Sequence, residues 1–196
     1  MEIRSLLVLA VFVTMTPLFA TAQPDTAVEV KKGTDQATVS GTAKVKATVV
    51  GIDVATRTVT LKTNKGKVVE LEVGTEARNF DQIKVGDIVN AEYKESLTLS
   101  LRKGGGKASV KQSETANRSA PGAKPGGTLG REVRVLANVV AINPQTKMVT
   151  VKGPQGNTVD LMVESPDTLK NIKKGDQVEA VYTEALAISV EPAGKQ

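Results

Sequence analysis

The chain repeats itself, and a duplicated sequence folds as two copies of one unit. Ala47-Thr48-Val49-Val50-Gly51-Ile52-Asp53 recurs as Ala137-Asn138-Val139-Val140-Ala141-Ile142-Asn143. Thr56-Arg57-Thr58-Val59-Thr60-Leu61-Lys62 recurs as Thr146-Lys147-Met148-Val149-Thr150-Val151-Lys152, and Val69-Glu70-Leu71-Glu72-Val73 as Val159-Asp160-Leu161-Met162-Val163, all at an offset of 90. After a one-residue gap the offset becomes 89, and the segment from Ile83 through Gly86-Asp87 to Tyr93-Lys94-Glu95 answers to that from Ile172 through Gly175-Asp176 to Tyr182-Thr183-Glu184. The repeats span 44–102 and 132–191.

Within a repeat, apolar residues alternate with polar ones at the period of half-buried strands. Val45, Ala47 and Val49 mark a first strand, Val59 and Leu61 a second that ends at the turn Asn64-Lys65-Gly66, and Val69, Leu71 and Val73 a third. Asn79–Ile83 reads as a compact bridge of about one helical turn. Gly86-Asp87 is a turn in which glycine permits positive φ and the aspartate bonds local amides. Val89, Ala91 and Tyr93 mark a fourth strand, and Leu97, Leu99 and Leu101 a fifth. Five short strands with a bridge between the third and fourth predict an all-β protein of two tandem small five-stranded OB-like barrels joined by a flexible linker. A five-stranded SH3-like barrel is the alternative, which alternation does not separate. Units this small bury a modest fraction of their surface, so stability without disulfides requires good barrel packing or pairing of the repeats.

The flanks differ in composition. Met1–Ala22 has an n-region with Arg4, a mainly apolar run from Leu6 to Ala20, and Ala20-Thr21-Ala22 as a small-x-small cleavage site, the pattern of a signal peptide. The run is short for a bilayer span, so export to the periplasm or beyond, without membrane insertion, is the expectation. Residues 23–43 are polar and expected to be disordered. Residues 103–131, with Gly104-Gly105-Gly106, Pro121-Gly122 and Pro125-Gly126-Gly127, read as a flexible basic linker, and 192–196 as a tail.

The net charge of +5 is concentrated in that linker, where six Lys and Arg residues face only Glu114. The first repeat counts +2 and the second −2, so a folded basic face is not expected. There is no Cys, His or Trp, and no disulfide framework or imidazole or thiolate metal ligand can form. Nucleophile motifs such as G-x-S-x-G or S-x-x-K are absent too, and Gly104-Gly105-Gly106-Lys107 lacks the following helix of a phosphate loop. No catalytic residue, cofactor or metal site is assigned. Calcium is not indicated by Asp87 and Asp176, because no D-x-D-x-D-G run occurs.

The V-x-x-I-D strand, the T-x-T-V-T-L-K arm and the V-G-D turn before A-x-Y-x-E-S-L resemble bacterial exported repeat families of unknown function, described as small OB-like barrels. A more distant resemblance is to the periplasmic copper chaperones of the Cus efflux system, whose copper site uses a His, two Met and a Trp. Here only Met148 and Met162 lie beyond the N-terminal segment, and that site does not carry over.

The candidate contacts are the matched pairs Tyr93 and Tyr182, and Glu95 and Glu184, which by alternation share a face with strand-four apolar residues. A single Tyr per repeat is too little aromatic surface for stacking single-stranded nucleic acid, and no nucleic-acid partner is expected. The expected function is a non-catalytic exported binding or scaffold protein of the bacterial cell envelope that engages a protein or an anionic envelope polymer. A metal carrier is the alternative, and an enzyme of unrecognised type the third reading.

Overall fold

The computed structural model describes residues 25–75 and 77–194, and the signal-peptide reading with its cleavage point at Ala22 lies outside them. Strands β1 (Asp25–Lys32), β2 (Gln36–Asp53), β3 (Thr58–Thr63), β4 (Val68–Glu72) and β5 (Ile88–Arg102) are followed by β6 (Ser109–Arg118), β7 (Gly126–Asn143), β8 (Met148–Lys152), β9 (Thr158–Met162), helix α1 (Pro166–Asn171) and β10 (Gln177–Glu191). They form one antiparallel sheet of order β4-β3-β2-β5-β10-β7-β8-β9, with β1 on β2 and β6 on β7.

The two halves pair alike. β2 carries β5 on one edge and β1 and β3 end to end on the other, and β7 carries β10, β6 and β8 in the same way. Both long strands shift register at matched places, between Val49 and Gly51 and between Val139 and Ala141. Such bulges bend a strand and increase its twist. The following turns match as well: Asp53 Oδ1 accepts from the Ala55 and Thr56 amides, and Asn143 Oδ1 from those of Gln145 and Thr146.

Each curled end encloses a small core. Ala47, Val49, Val59, Leu61, Phe80 and Ile83 pack in the first lobe, and Ala137, Val139, Val149, Val151, Leu169 and Ile172 in the second. The expected bridge is a 3-10 turn at Phe80–Gln82 in one lobe and α1 in the other, where Ser165 caps the helix by accepting from the Thr168 amide. Arg57 closes the first lobe, its guanidinium 4.6 Å from the centre of the Phe80 ring. Gly86 and Gly175 take φ of 95° and 94°. Asp87 and Asp176 accept from the Lys84 and Lys173 amides at 2.8 and 2.9 Å, as the turn reading requires.

The all-β class holds, and three finer expectations are corrected. The sheet does not close into two separate five-stranded barrels: β4 and β9 are its free ends, and the halves join edge to edge through β5 and β10. The predicted fourth and fifth strands are one. Lys94-Glu95-Ser96 contains no Gly or Pro, and the apolar alternation from Val89 to Leu101 never changes phase, so nothing breaks β5. Residues 25–43, expected to be disordered, instead form β1 and the first half of β2.

The segment 103–131 is likewise not a free linker, for it forms β6 and the start of β7. Its glycines allow close approach rather than flexibility. A Cβ on Gly126 would stand 2.9 Å from the Ile188 carbonyl oxygen, and one on Gly127 2.6 Å from that of Asn117.

Ion pairs tie the halves together. Glu179 on β10 is 6% exposed and accepts from Arg134 on β7 at 2.7 Å and from Arg102 on β5 at 3.0 Å. Lys124 in the β6–β7 loop crosses to Asp87 and donates to the Gln82 carbonyl at 2.7 Å, while Lys103 reaches Asp176 at 3.1 Å. Lys32 at the β1–β2 turn contacts Glu164 of the second lobe at 2.6 Å.

Gly127→Ala is expected to lower stability to urea by about 1–3 kcal/mol through overpacking against Asn117, a loss that a flexible spacer would not register. Acid should weaken the fold for a separate reason. The Arg134 and Arg102 hydrogen bonds hold Glu179 below its ordinary 4.5. Burial opposes ionisation of Asp87 and Asp176, but hydrogen bonds from Lys124 and the Lys84 amide to Asp87, and from the Lys173 amide and Lys103 to Asp176, outweigh it and lower both from 3.8. Folded values below unfolded ones give stability that is full above those ordinary values and lost as pH falls through the folded ones. Urea midpoints measured on acidification should therefore be flat down to the ordinary carboxylate range and fall below it, more shallowly in Glu179→Gln.

Candidate functional site

β5 and β10 pair along their whole length, with Glu95 directly opposite Glu184, Tyr93 opposite Leu186 and Leu97 opposite Tyr182. Because Glu184 is the repeat equivalent of Glu95, a local two-fold axis normal to the sheet passes between these two residues. All four sequence-predicted residues therefore meet at one place on one face. Tyr93 donates to Glu95 Oε2 at 3.2 Å and Tyr182 to Glu184 Oε2 at 3.0 Å, with Tyr182 Oη also 3.5 Å from Glu95 Oε2. Arg131 on β7 stands 3.8 Å from Glu184 Oε1. Glu95 has no cation beside it among the described residues.

Like charges directly opposite on paired strands repel, and the phenol donors and Arg131 offset that repulsion. The surroundings also keep the phenols protonated. Burial raises the Tyr182 pKa above the usual range, and the hydrogen bond to Glu184 raises it further. Burial also raises Tyr93, with the Glu95 and Glu184 charges adding to the effect.

A second site was missed in the sequence. A cleft of about 1090 Å3 lies at the first lobe, between the β3–β4 turn, β2, β5, the β6–β7 loop, the start of β7 and the end of β10, so that Ile188 and Ala91 of the sheet face form part of its wall. Its basic residues are Lys44, Lys46, Lys65, Lys67, Arg118 and Lys124, against Asp25 and Glu92. Lys44 pairs with Glu92 at 3.3 Å and Lys124 with Asp87. Lys46, Lys67 and Arg118 have no carboxylate partner among the described residues. The end of β6 and the β6–β7 loop bring Arg118 and Lys124 back onto the first repeat, whose own charges were already basic. The signal that could have found it was the excess of lysine around the Asn64-Lys65-Gly66 turn.

The second lobe lacks this cleft chemistry. At the repeat offset, Leu136 stands for Lys46, Gln155 for Lys65 and Asn157 for Lys67, while Arg134, which stands for Lys44, is bound by Glu179 and Glu132. Met148 and Met162, far apart in the sequence, are direct cross-strand neighbours on β8 and β9. No group of three or more His, Cys, Asp or Glu residues placed to hold a metal ion occurs among the described residues, and no described helix is long and apolar enough to cross a membrane. Compared with known proteins, the chain matches no family model, no curated protein and no solved structure.

Tyr93 and Tyr182 are the only tyrosines and there is no tryptophan, so tyrosinate absorbance reports this cluster alone. In a spectrophotometric titration neither phenol should ionise at the roughly pH 10 of free tyrosine. Glu184→Gln should bring the Tyr182 transition down towards that value, and a wild-type titration at the free-tyrosine position would contradict the burial described above.

Proposed function

We propose that this protein is a non-catalytic binding protein of the bacterial cell envelope that holds an anionic polymer in the basic cleft of its first lobe. The observation that carries the reading is the divergence of the two halves. They keep the same strand pairing, turns and core positions, yet Lys46, Lys65 and Lys67 have uncharged counterparts in the second half. A duplicated fold in which one copy alone gathers cations around a cleft favours a ligand of opposite charge there. Export through the N-terminal segment supplies the setting, and two duplicated β modules joined edge to edge in one open sheet present the cleft.

The chemistry of the ligand follows from the cleft. Several lysines around an open trough suit carboxylate or phosphate groups repeated along a chain, each held as a point charge rather than by a fixed fork. Contacts of this kind weaken with salt, because exposed charges are screened within about 10 Å at 0.1 M ionic strength. Titration with polygalacturonate and with inorganic polyphosphate should therefore give binding at low salt that declines steeply as salt is added. Lys46→Glu combined with Lys67→Glu should weaken it by about tenfold or more, about 1.4 kcal/mol per decade. Equal binding by that variant, or no binding of either polymer at low salt, would sink the proposal.

One observation favours a second reading, a soft-metal carrier. The cross-strand pair Met148 and Met162 sets two thioethers side by side, and soft sulfur ligands select Cu(I). Cu(I) titration separates the readings, since a carrier must lose affinity in Met162→Leu while polymer binding stays unchanged.

A further inference from the structure

We propose that the sheet face carrying Glu95 and Glu184 is covered by a second copy of this chain, packed face to face as a sandwich. Alternation along β1, β2, β5, β10, β7 and β6 sorts the residues onto two faces. One is polar and pairs its own hydroxyls, with Thr38 to Thr98 at 2.9 Å and Ser96 to Thr183 at 2.8 Å. The other holds the Tyr/Glu cluster in an apolar field. Val28, Val30, Val110, Leu129 and Ile188 all fall on it by register, at 63%, 54%, 50%, 60% and 42% exposure. The lobe cores continue this face only at its two ends, where Val89 meets the first core and Val178 the second. An antiparallel sheet with one polar and one apolar face buries the apolar one.

The size of the patch suits a second copy. Strands lie ~4.8 Å apart and same-face residues ~6.7 Å apart along a strand, so the uncovered positions on six strands span ~900 Å2. Two copies together would bury ~1,800 Å2, within the ~1,200–2,000 Å2 of a stable interface.

The central row explains why the occupant is the same chain. Gly41 pairs with Glu95 on the outer edge of β5, and Arg131 pairs with Glu184 on the outer edge of β10. Gly41 and Arg131 are repeat equivalents, so the local two-fold is broken beside the carboxylates: Glu184 has an arginine next to it, itself flanked by Glu114 on β6, whereas Glu95 has only the buried Gly41. Turning a second copy by half a revolution about an axis parallel to the strands lays its β7 over β2 of the first. Its Arg131 then stands above Gly41, next to Glu95, while its Glu184 faces Glu95, so the two Arg131 side chains serve the four carboxylates gathered at the centre of the pair. Facing sheets are ~10 Å apart, within reach of an arginine side chain. The contact forms twice in the pair, and each Glu95 gains the cation that its own chain does not place there among the described residues.

Sedimentation velocity on the purified protein should give a dimer at roughly 10 μM. Leu129→Arg, at an exposed position, should sediment as a monomer with unchanged circular dichroism. Arg131→Glu should weaken the dimer by about tenfold or more, and adding Glu95→Arg to it should recover most of that loss. A wild-type monomer at roughly 100 μM, or a dimer indifferent to Leu129→Arg, would overturn the proposal. So would a face that binds some other protein while the chain stays monomeric. A dimer broken by Leu129→Arg but not restored by the exchanged charges would overturn the Arg131–Glu95 contact.

Discussion

Everything in this molecule hangs on the pairing of β5 with β10. Neither half could stand well alone, because each lobe holds a core of six buried residues, all but Phe80 in the first being Val, Leu, Ile or Ala. Small domains with such cores are marginal. Joined along fifteen residue pairs, the halves lose two exposed strand edges at once and gain a continuous ladder of backbone hydrogen bonds. The joint is reinforced from outside by charges that cross it. Glu179 draws in arginines from the strand on either side, and each turn aspartate is met by a lysine from the segment between the repeats.

Much of this was legible in the residues, and the exceptions have physical causes. Alternation and the Gly-Asp turns located most of the strands correctly, since period-two patterning and a glycine at positive φ are local signals. The continuity of β5 was legible too, in the unbroken phase through Glu95, but a charged residue at an apolar position looks like an interruption. Its neighbours Tyr93 and Tyr182 satisfy it, and that is a tertiary fact. The glycine-rich segment misled for a different reason. Flexibility and close backbone approach call for the same residue, and only the positions of the Asn117 and Ile188 carbonyls decide between them.

Charge was the least legible quantity, because a sum over a segment does not say where its members fold. The basic excess of 103–131 looked like a solvated strap. Once that segment becomes β6 and an arm, its cations are divided: Arg118 and Lys124 reach the first lobe, Arg131 joins the carboxylate pair, and Lys103 holds the second turn. Duplication then makes the asymmetry readable. Positions that fold the unit match between the copies, while Lys46, Lys65 and Lys67 do not, and such freedom to diverge is what separates a surface position from a core one.

The carboxylates at the centre obey a stricter rule. In an internally duplicated sheet, a residue on the two-fold meets its own copy, so any charge placed there becomes a like-charge contact that the duplication itself creates. An apolar residue would remove the repulsion, and a small one would also pack. The sequence instead keeps Glu at both sites and holds each with a phenol from two residues away, and burial together with the carboxylates keeps those phenols protonated. Among the described residues Arg131 is the one cation beside the pair, and it stands on one side. A strictly symmetric duplication would have carried Gly at both flanking positions or Arg at both. One departure from symmetry therefore lies beside the one contact that symmetry makes unfavourable, and the carboxylate it leaves without a cation among the described residues lies on the apolar side of the sheet.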